Sequence, residues 1–476
     1  MLTPAFANTV SYFYPIGNTP AVSLTQTIPP GEPVDIPLLE CGDVRNILFT
    51  GYVDARVMDI TCCDNQKAVI ARNILLLTLL IDGNDSSDDL IWNLYYHLNI
   101  DNKSLELLRS QAQKLHDLST SRDVWQHGKY GSRLRFCDTA TLEDVRAMWA
   151  LYAIERKGVK AKKFKLRFDS ILREVNKKEE EDAIITSYRA MIPALQGSMF
   201  DVSDLHFHYY WKHGSLELDA NTRASAKFPN PMFMTLEDEA IVHYGIDPLM
   251  GFHLTLACSS LEAQNPLSQT LYRLSGPKRI INPAKAEFND WAASYRKQNN
   301  SITLRFSTAD ASTLAHTMQQ RSSGGARTSG MYRQQYDTRP LLLDSPDYVY
   351  DKVPLTFDVI DTSNLCDHFG SLVLFEATAP LLRNSLAAVL YVEVLNRDPK
   401  NMLNDLLCGH VPTISSILGL SPTDYWTNTS HVSAFDEEVV NPVPAGSAKN
   451  PHIYLRTRWI RPAWLVLDSR KSESFL

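Results

Sequence analysis

The sequence lacks the cysteine pattern of a zinc ribbon or a disulfide framework. It has seven cysteines, an odd number, and no two of them form a Cys-x-x-Cys pair. Structural zinc sites and small disulfide-stapled folds rely on such spacings. We therefore expect no metal in this chain, and the cysteine usage indicates a reducing, intracellular environment.

Long apolar runs are also absent. No run reaches the roughly 18 apolar residues that a membrane-spanning helix needs. The first residues show no basic segment followed by an apolar one, which is the pattern of a secretory signal. These two absences predict a soluble, cytoplasmic protein with no membrane partner.

Two common catalytic motifs and an excess of positive charge are missing as well. The sequence has neither the Gly-x-Ser-x-Gly turn of many hydrolases nor the GxxxxGK[ST] loop that holds phosphates. The chain has 47 Lys and Arg residues and 54 Asp and Glu residues, which gives a formal net charge of -7. Contact with nucleic acid would thus require a local basic patch.

Such a patch lies between Arg156 and Arg167. Seven of these twelve residues are Lys or Arg, and none is acidic. This charge density is typical of a phosphate-backbone contact, so RNA is one expected partner. A solvated helix face explains the same charges equally well.

Strand and helix patterns alternate near both ends of the chain. Apolar runs with strand character occupy residues 36–41, 57–63, 302–306, 357–361, 388–395 and 453–459. Helical patterns follow the first two of them, and long polar helices dominate the middle of the chain. We predict an α/β fold with a Rossmann-like, doubly wound sheet of the class I methyltransferase type. Residues 1–83 and 301–476 form this domain, and residues 84–300 form a mainly helical insertion.

Polar groups follow four of the predicted strands at the point where each strand ends. They are Gly42, Asp64, Asp310 and Asp361. Asp64 follows Gly42 by 22 residues, near the spacing expected for an acid that binds a ribose. Because ligands bind at the carboxyl edge of open parallel sheets, we expect a nucleotide-type site at this edge.

These residues resemble the motifs of Rossmann-like methyltransferases that use S-adenosylmethionine. Glu40-Cys41-Gly42-Asp43 looks like a reduced form of the glycine-rich first motif. Cys63-Asp64-Asn65 looks like the second motif, and Thr308-Ala309-Asp310-Ala311 like the third.

The whole chain also resembles a fungal family of unknown function, many members of which carry a MYND zinc finger. Its N-terminal half is similar to the dynein axonemal assembly factor family, which has the same methyltransferase-like fold. This resemblance is carried by residues 14–21, 39–48, 59–77, 247–254, 357–370 and 407–413. The MYND cysteines themselves are absent from this chain.

The resemblance implies S-adenosylmethionine as a cofactor and assigns it a set of residues. Those that would bind it are Gly42, Asp43, Asp64 and Asp310. The acceptor, a small molecule or protein that the sequence does not identify, would lie near Asp361, Asn364 and His368. His368 is a candidate general base because histidine titrates near neutral pH.

The same residues have simpler structural explanations. Gly42 can merely end a strand, Asp64 and Asp310 can cap the helices that follow them, and His368 can be an ordinary surface or core residue. For Asp64 the two roles are compatible. Both sets of explanations stay open at the level of sequence.

Three functions are therefore consistent with the sequence. The first is S-adenosylmethionine-dependent transfer to an acceptor. The second is a non-catalytic assembly or interaction factor with a degenerate methyltransferase fold. It is suggested by Glu40 and Val44, which stand where a competent methyltransferase usually has glycine. The third is an RNA-dependent group-transfer enzyme, in which the segment from Arg156 to Arg167 would hold phosphates.

Overall fold

A computed structural model describes most of the chain. The described residues are 13–17, 19–180, 198–236, 239–240, 246, 248–253, 278–298, 301–324, 328–335, 337–350, 352–396, 402–427 and 453–462.

Fourteen strands occur among these residues. They are β1 (Val34–Leu39), β2 (Met58–Cys63), β3 (Asn99–Ile100), β4 (Leu134–Phe136), β5 (Phe228–Pro229), β6 (Met234–Leu236), β7 (Glu239–Ala240), β8 (Ile302–Ser307), β9 (Thr328–Gln334), β10 (Asp337–Leu342), β11 (Val359–Asp361), β12 (Val389–Asn396), β13 (Ser421–Pro422) and β14 (Ile453–Ile460).

The α-helices of the described residues surround these strands. They are α1 (Arg45–Val53), α2 (Lys67–Asp82), α3 (Asp88–Tyr96), α4 (Asn102–Leu118), α5 (Arg122–His127), α6 (Thr139–Ala153), α7 (Gly158–Glu180), α8 (Ser198–His213), α9 (Ala220–Ser225), α10 (Lys278–Lys297), α11 (Ala311–Ser322), α12 (Pro346–Val349), α13 (Cys366–Phe369), α14 (Ser371–Thr378), α15 (Met402–Leu407), α16 (Val411–Leu418) and α17 (Thr423–Thr427).

Eight of the strands form one central sheet in the order β13-β14-β12-β11-β1-β2-β8-β4. The pairs that join β12, β11, β1, β2, β8 and β4 are all parallel. Only β14 runs against the others, between β12 and β13. This arrangement confirms the prediction of an α/β, Rossmann-like fold at the level of its architecture.

Both faces of the sheet are buried. In β1, Ile36 and Leu38 belong to one apolar cluster, which also contains the core residues of α2, α3 and α4. Leu39, the next residue along, belongs to a second cluster with the core residues of α11 and α14. Alternate residues of a strand point to opposite faces, so helices cover the sheet on both sides.

Residues 84–300 contribute more to the sheet than the predicted helical insertion implies. The short strand β4 pairs with β8 at the sheet edge, with Leu134 opposite Leu304. Because β4 has only three residues, it shows too little periodicity to be recognised as a strand between α5 and α6. The domain boundaries at 83/84 and 300/301 stay a prediction.

Local composition is a poor guide to structure at two places. The segment before β1 is rich in Pro, Thr and Gly, yet Phe13, Ile16 and Leu24 are buried. The stretch 320–330 is small and polar, yet its first residues end α11 and its last ones begin β9. In both cases tertiary contacts outweigh local composition.

Candidate functional site

The order of strands reverses at β1. β2 and β8 lie on one side of β1, whereas β11 and β12 lie on the other. Ligands of open α/β sheets bind at the carboxyl end of such a switch point. A cleft that encloses about 430 Å³, including the part open to solvent, lies there. It is lined by Thr19, Pro20, Val22, Leu38, Glu40, Cys41, Gly42, Arg45, Asn46, Asp361, Ser363 and Glu393.

The turn that follows β1 has a left-handed backbone at two positions. The φ angle is 67° at Glu40 and 52° at Gly42. A Cβ atom added to Gly42 would meet nothing within 4 Å, so the backbone here borders open space. The Asn73 Nδ2 group donates to the Gly42 carbonyl at 2.6 Å and holds the turn in place. A left-handed glutamate is unusual, and such strain costs about 1–3 kcal/mol.

The carboxyl group of Glu40 lies in an unfavourable environment. Its Oε2 atom is buried and has no hydrogen-bond partner among the described residues. Burial is the main cause that raises the pKa of Glu40 to about 8. Repulsion from nearby carboxylates acts in the same direction, and these belong to Asp64, Glu393, Asp367 and Asp310. The carboxyl edge therefore concentrates negative charge around Glu40.

Asp64 is not among the residues that line the cleft. Its side chain is 5% exposed, and burial raises its pKa to about 7. Its Oδ1 atom accepts a hydrogen bond from the Gln66 backbone at 2.8 Å. The N-cap of α2 is Gln66, so Asp64 forms a turn ahead of the helix instead of capping it. Whether it binds a ribose stays a prediction.

Asp43 is held by structural contacts. Its Oδ2 atom accepts the Gly17 N–H at 2.9 Å, and its Oδ1 atom accepts the Arg45 N–H at 3.2 Å. A Cβ atom on Gly17 would overlap the Arg45 guanidinium, so a side chain at this position would require that guanidinium to move. Through these two hydrogen bonds, Asp43 links the segment before β1 to the start of α1.

Asp310 caps a helix, as one of its two explanations predicts. It is the N-cap of α11, and its Oδ1 atom accepts the backbone N–H groups of Ser312 and Thr313 at 2.9 and 3.3 Å. A contact with a cofactor stays a prediction.

Asp361 belongs to a buried ionic group that the sequence analysis missed. Arg456 on β14 donates to Asp361 Oδ2 at 2.6 Å and to Glu393 Oε1 at 2.9 Å. Its guanidinium also lies 4.3 Å from the centre of the Tyr391 ring. One cation pairs with two carboxylates, so this ionic group keeps a net negative charge. The one sequence signal for this ionic group is an arginine, Arg456, within the strand pattern 453–459.

The other two predicted acceptor residues differ in position. Asn364 is half-buried beside Ser363, which lines the cleft. His368 is exposed on α13 and is not among the residues that line the cleft. The catalytic roles of Asp361, Asn364 and His368 stay predictions.

The remaining wall of the cleft comes from the segment before β1. Ala21 donates its N–H to the Gly251 carbonyl at 2.9 Å. The Ala21 carbonyl in turn lies 2.8 Å from His253 Nε2, and Glu287 contacts the other ring nitrogen. Residues 248–253 thus contact the segment before β1, whose Thr19 and Pro20 line the cleft.

The basic stretch lies on α7 and just before it. Phe164 and Phe168 are buried on the inner side of this helix, and the Arg156 guanidinium lies 4.4 Å from the centre of the Phe164 ring. The other cations of the stretch are exposed: Lys157, Lys160, Lys162, Lys163, Lys165 and Arg167. A solvated helix face and a phosphate contact both remain consistent with this position.

Neither a membrane span nor a metal cluster occurs in the part of the chain that the structure describes. No helix there is long and apolar enough to cross a membrane. No group of three or more His, Cys, Asp or Glu side chains is placed there so that it could hold a metal ion.

A family model described as a domain of unknown function, DUF4470, matches residues 15–100. The matched segment includes the N-terminal cleft wall, β1, α1 and β2, and it contains Glu40, Gly42, Asp43 and Asp64. No curated protein and no solved structure matches the chain. The match agrees with a resemblance to a family of unknown function, whereas the MYND-associated and dynein assembly factor relationships stay predictions.

Proposed function

We propose that the cleft at the switch point binds S-adenosylmethionine and that the chain is a methyltransferase-like protein. The main support is the left-handed turn after β1, which borders open space at the carboxyl end of the sheet. The sheet adds support, because its strand order reverses at β1 and the cleft lies at the carboxyl end of that switch point. Fold alone does not define function, so the chemistry of the cleft carries the proposal.

The charge of the cleft favours a cationic ligand. Glu40, Asp361 and Glu393 line it, and Asp64 and Asp310 lie close enough to raise the pKa of Glu40. An opposite charge placed near such a group stabilises its ionised form. The sulfonium centre of S-adenosylmethionine carries a positive charge, which the demethylated product lacks. Arg45 also lines the cleft, but it lies 3.6 Å from Asp43, so the ionised carboxylates still outnumber the cations and the cleft is unfavourable for the phosphates of a nucleotide.

In this proposal the residues of the chain mainly bind and orient. The open backbone at Gly42 would let the adenosine approach the turn, and Glu40 would face the cationic part of the ligand. Asp361 would act through its charge, since its carboxylate is already bound to Arg456 and to the Ser363 N–H. The acceptor would enter on the side of Ser363 and Asn364.

A non-catalytic assembly or interaction factor is the second candidate. It is favoured by Asp43 and Asp361, whose carboxylates are engaged in structural contacts. Glu40 also supports it, because its side chain stands where the family pattern has glycine. Such a protein would keep the fold and would not bind the donor.

A matched pair of glycine variants tests the proposed cleft. Gly42 and Gly158 have φ angles of 52° and 56°, and a Cβ atom on either would meet nothing within 4 Å. Alanine should therefore cost each about 1 kcal/mol of stability. Only Gly42→Ala places a methyl group in the cleft, so only this variant should bind S-adenosylmethionine at least tenfold more weakly by calorimetry. Equal affinities in the two variants would remove the cleft as the site.

The RNA-dependent alternative has its own test. If α7 binds RNA, log affinity should fall with log salt by roughly 0.7 per neutralised phosphate. Replacing Lys160, Lys162, Lys163 and Lys165 by Gln should flatten that slope, while the exposed control Lys227→Gln should not. The fold should survive, because exposed lysines contribute little to stability. No RNA binding at low salt, or an unchanged slope, would leave the stretch as a solvated helix face.

A further inference from the structure

A second cavity lies among the helices and shares no lining residue with the cleft at β1. It encloses about 520 Å³, including the part open to solvent. Its walls come from α3, from the segment between α8 and α9, and from α10. The lining residues are Trp92, Asn93, His97, Leu216, Glu217, Leu218, Asp219, Lys278, Ile281, Asn282 and Lys285.

His97 supplies this cavity with a buried polar group that lacks a partner. The side chain is 3% exposed, and its Nε2 atom has no hydrogen-bond partner among the described residues. The other nitrogen, Nδ1, lies 3.4 Å from Ser215 Oγ. That hydroxyl accepts the Glu217 N–H, so its own hydrogen is available for Nδ1. In this arrangement the proton of the neutral ring is on Nε2, which needs an acceptor.

The ring of His97 stays neutral. Burial lowers the pKa of His97 to about 3, and the positive charge of Lys285 acts in the same direction. His97 therefore acts as a neutral donor over the physiological pH range, and the buried Nε2–H group is costly to leave unpaired.

The charged residues of the cavity differ in how they are engaged. Lys285 pairs with Asp89 at 2.9 Å, whereas Lys278, on the same helix, has no ionic partner among the described residues. Two acids also line the cavity, and Glu217 Oε1 accepts the Asp219 N–H at 2.9 Å. Asp219 itself accepts both the N–H and the hydroxyl of Thr222. Both acids keep their negative charge but are hydrogen-bonded within their own segment, whereas the Lys278 ammonium has no polar partner among the described residues.

Apolar side chains complete the walls. Trp92, Leu216 and Ile281 line the cavity and are no more than 4% exposed. Small-molecule sites commonly combine such an apolar lining with a few polar groups that fix orientation.

From this juxtaposition we infer that the cavity binds a small organic anion, with its oxygen-rich head on His97 Nε2 and Lys278 and its apolar body against Trp92 and Ile281. A carboxylate and a phosphate monoester share this chemistry. The site is separate from the cleft proposed for S-adenosylmethionine, so either can fail without the other.

Three probes with the same ring test the class of ligand: benzoate, phenyl phosphate and the neutral benzamide. In ligand-observed NMR titrations of the full chain, benzoate or phenyl phosphate should bind at least tenfold more tightly than benzamide. That factor is expected for a hydrogen bond to a charged group. The tighter of the two anions identifies the head group. No binding of either anion, or equal binding of benzamide, would overturn the inference.

Variants of the chain test the position of the site. His97→Phe should weaken binding of the preferred anion at least tenfold, and Lys278→Gln should weaken it several-fold. Lys297→Gln, an exposed lysine of α10 outside the cavity lining, should leave it unchanged. Lys278 is exposed, so its variant remains informative if His97→Phe does not fold. Unchanged binding in Lys278→Gln would contradict the assigned site.

Discussion

Arg456→Met should lower the free energy of unfolding by roughly 3–5 kcal/mol, the loss seen when one partner of a buried ion pair is removed. Arg456 is 10% exposed and is bound to Asp361 and Glu393, which are 7% and 12% exposed. Without the guanidinium, two mostly buried carboxylates would face each other at the cleft. Urea denaturation near neutral pH measures the loss.

Two further variants separate this effect from the loss of packing. Arg458→Met changes an arginine of the same strand whose described side-chain contact is a hydrogen bond to Thr423, so it should cost far less. Adding Asp361→Asn and Glu393→Gln to Arg456→Met should restore part of the stability, because the unpaired charges are then removed. Equal losses for Arg456 and Arg458 would show that the ionic group contributes little.

Glu40→Gln should stabilise the protein at high pH and have little effect at low pH. The pKa of Glu40 is raised from 4.5 to about 8 in the folded state. Below pH 4.5 both states hold the proton. As pH rises towards 8, only the unfolded state releases it, and stability is lost. At about 1.4 kcal/mol per pKa unit, the loss reaches roughly 5 kcal/mol.

The measurement is urea denaturation of the wild type and of Glu40→Gln at several pH values from 5 to 9. The difference between them should grow with pH up to about 8 and then level off. Asp64 shifts the stability of both proteins in the same direction at lower pH, since its pKa is also raised, and this contribution largely cancels in the comparison. The control Glu106→Gln, an exposed glutamate, should show no trend. A flat difference for Glu40 would mean that its carboxyl is solvated.

Five of the parallel strands of the sheet could be predicted because each of the five carries a strong local pattern. β2, for example, was expected at 57–63 and is observed at Met58–Cys63. Strands β4 and β13 were not predicted, since two or three residues show no periodicity. Their formation depends on a neighbouring strand that is distant in the sequence, β8 for β4 and β14 for β13.

The candidate site was predictable in part for the same reason. Gly42, Asp64, Asp310 and Asp361 could be placed at one edge because each follows a parallel strand. The partners of these residues were not predictable. Arg456 lies 95 residues from Asp361, and Gly17 lies 26 residues from Asp43. Only the folded chain brings such pairs together, and they decide which carboxylates face the cleft.

The most direct test of the proposed donor site is calorimetry of the wild-type chain with S-adenosylmethionine and with its demethylated product. We expect the cationic donor to bind with a Kd below about 1 mM, which corresponds to roughly −4 kcal/mol. Its affinity should rise between pH 6 and pH 9, as Glu40 loses its proton, by more than that of the neutral product. No detectable binding of either compound at millimolar concentration would contradict the proposal and favour the non-catalytic alternative.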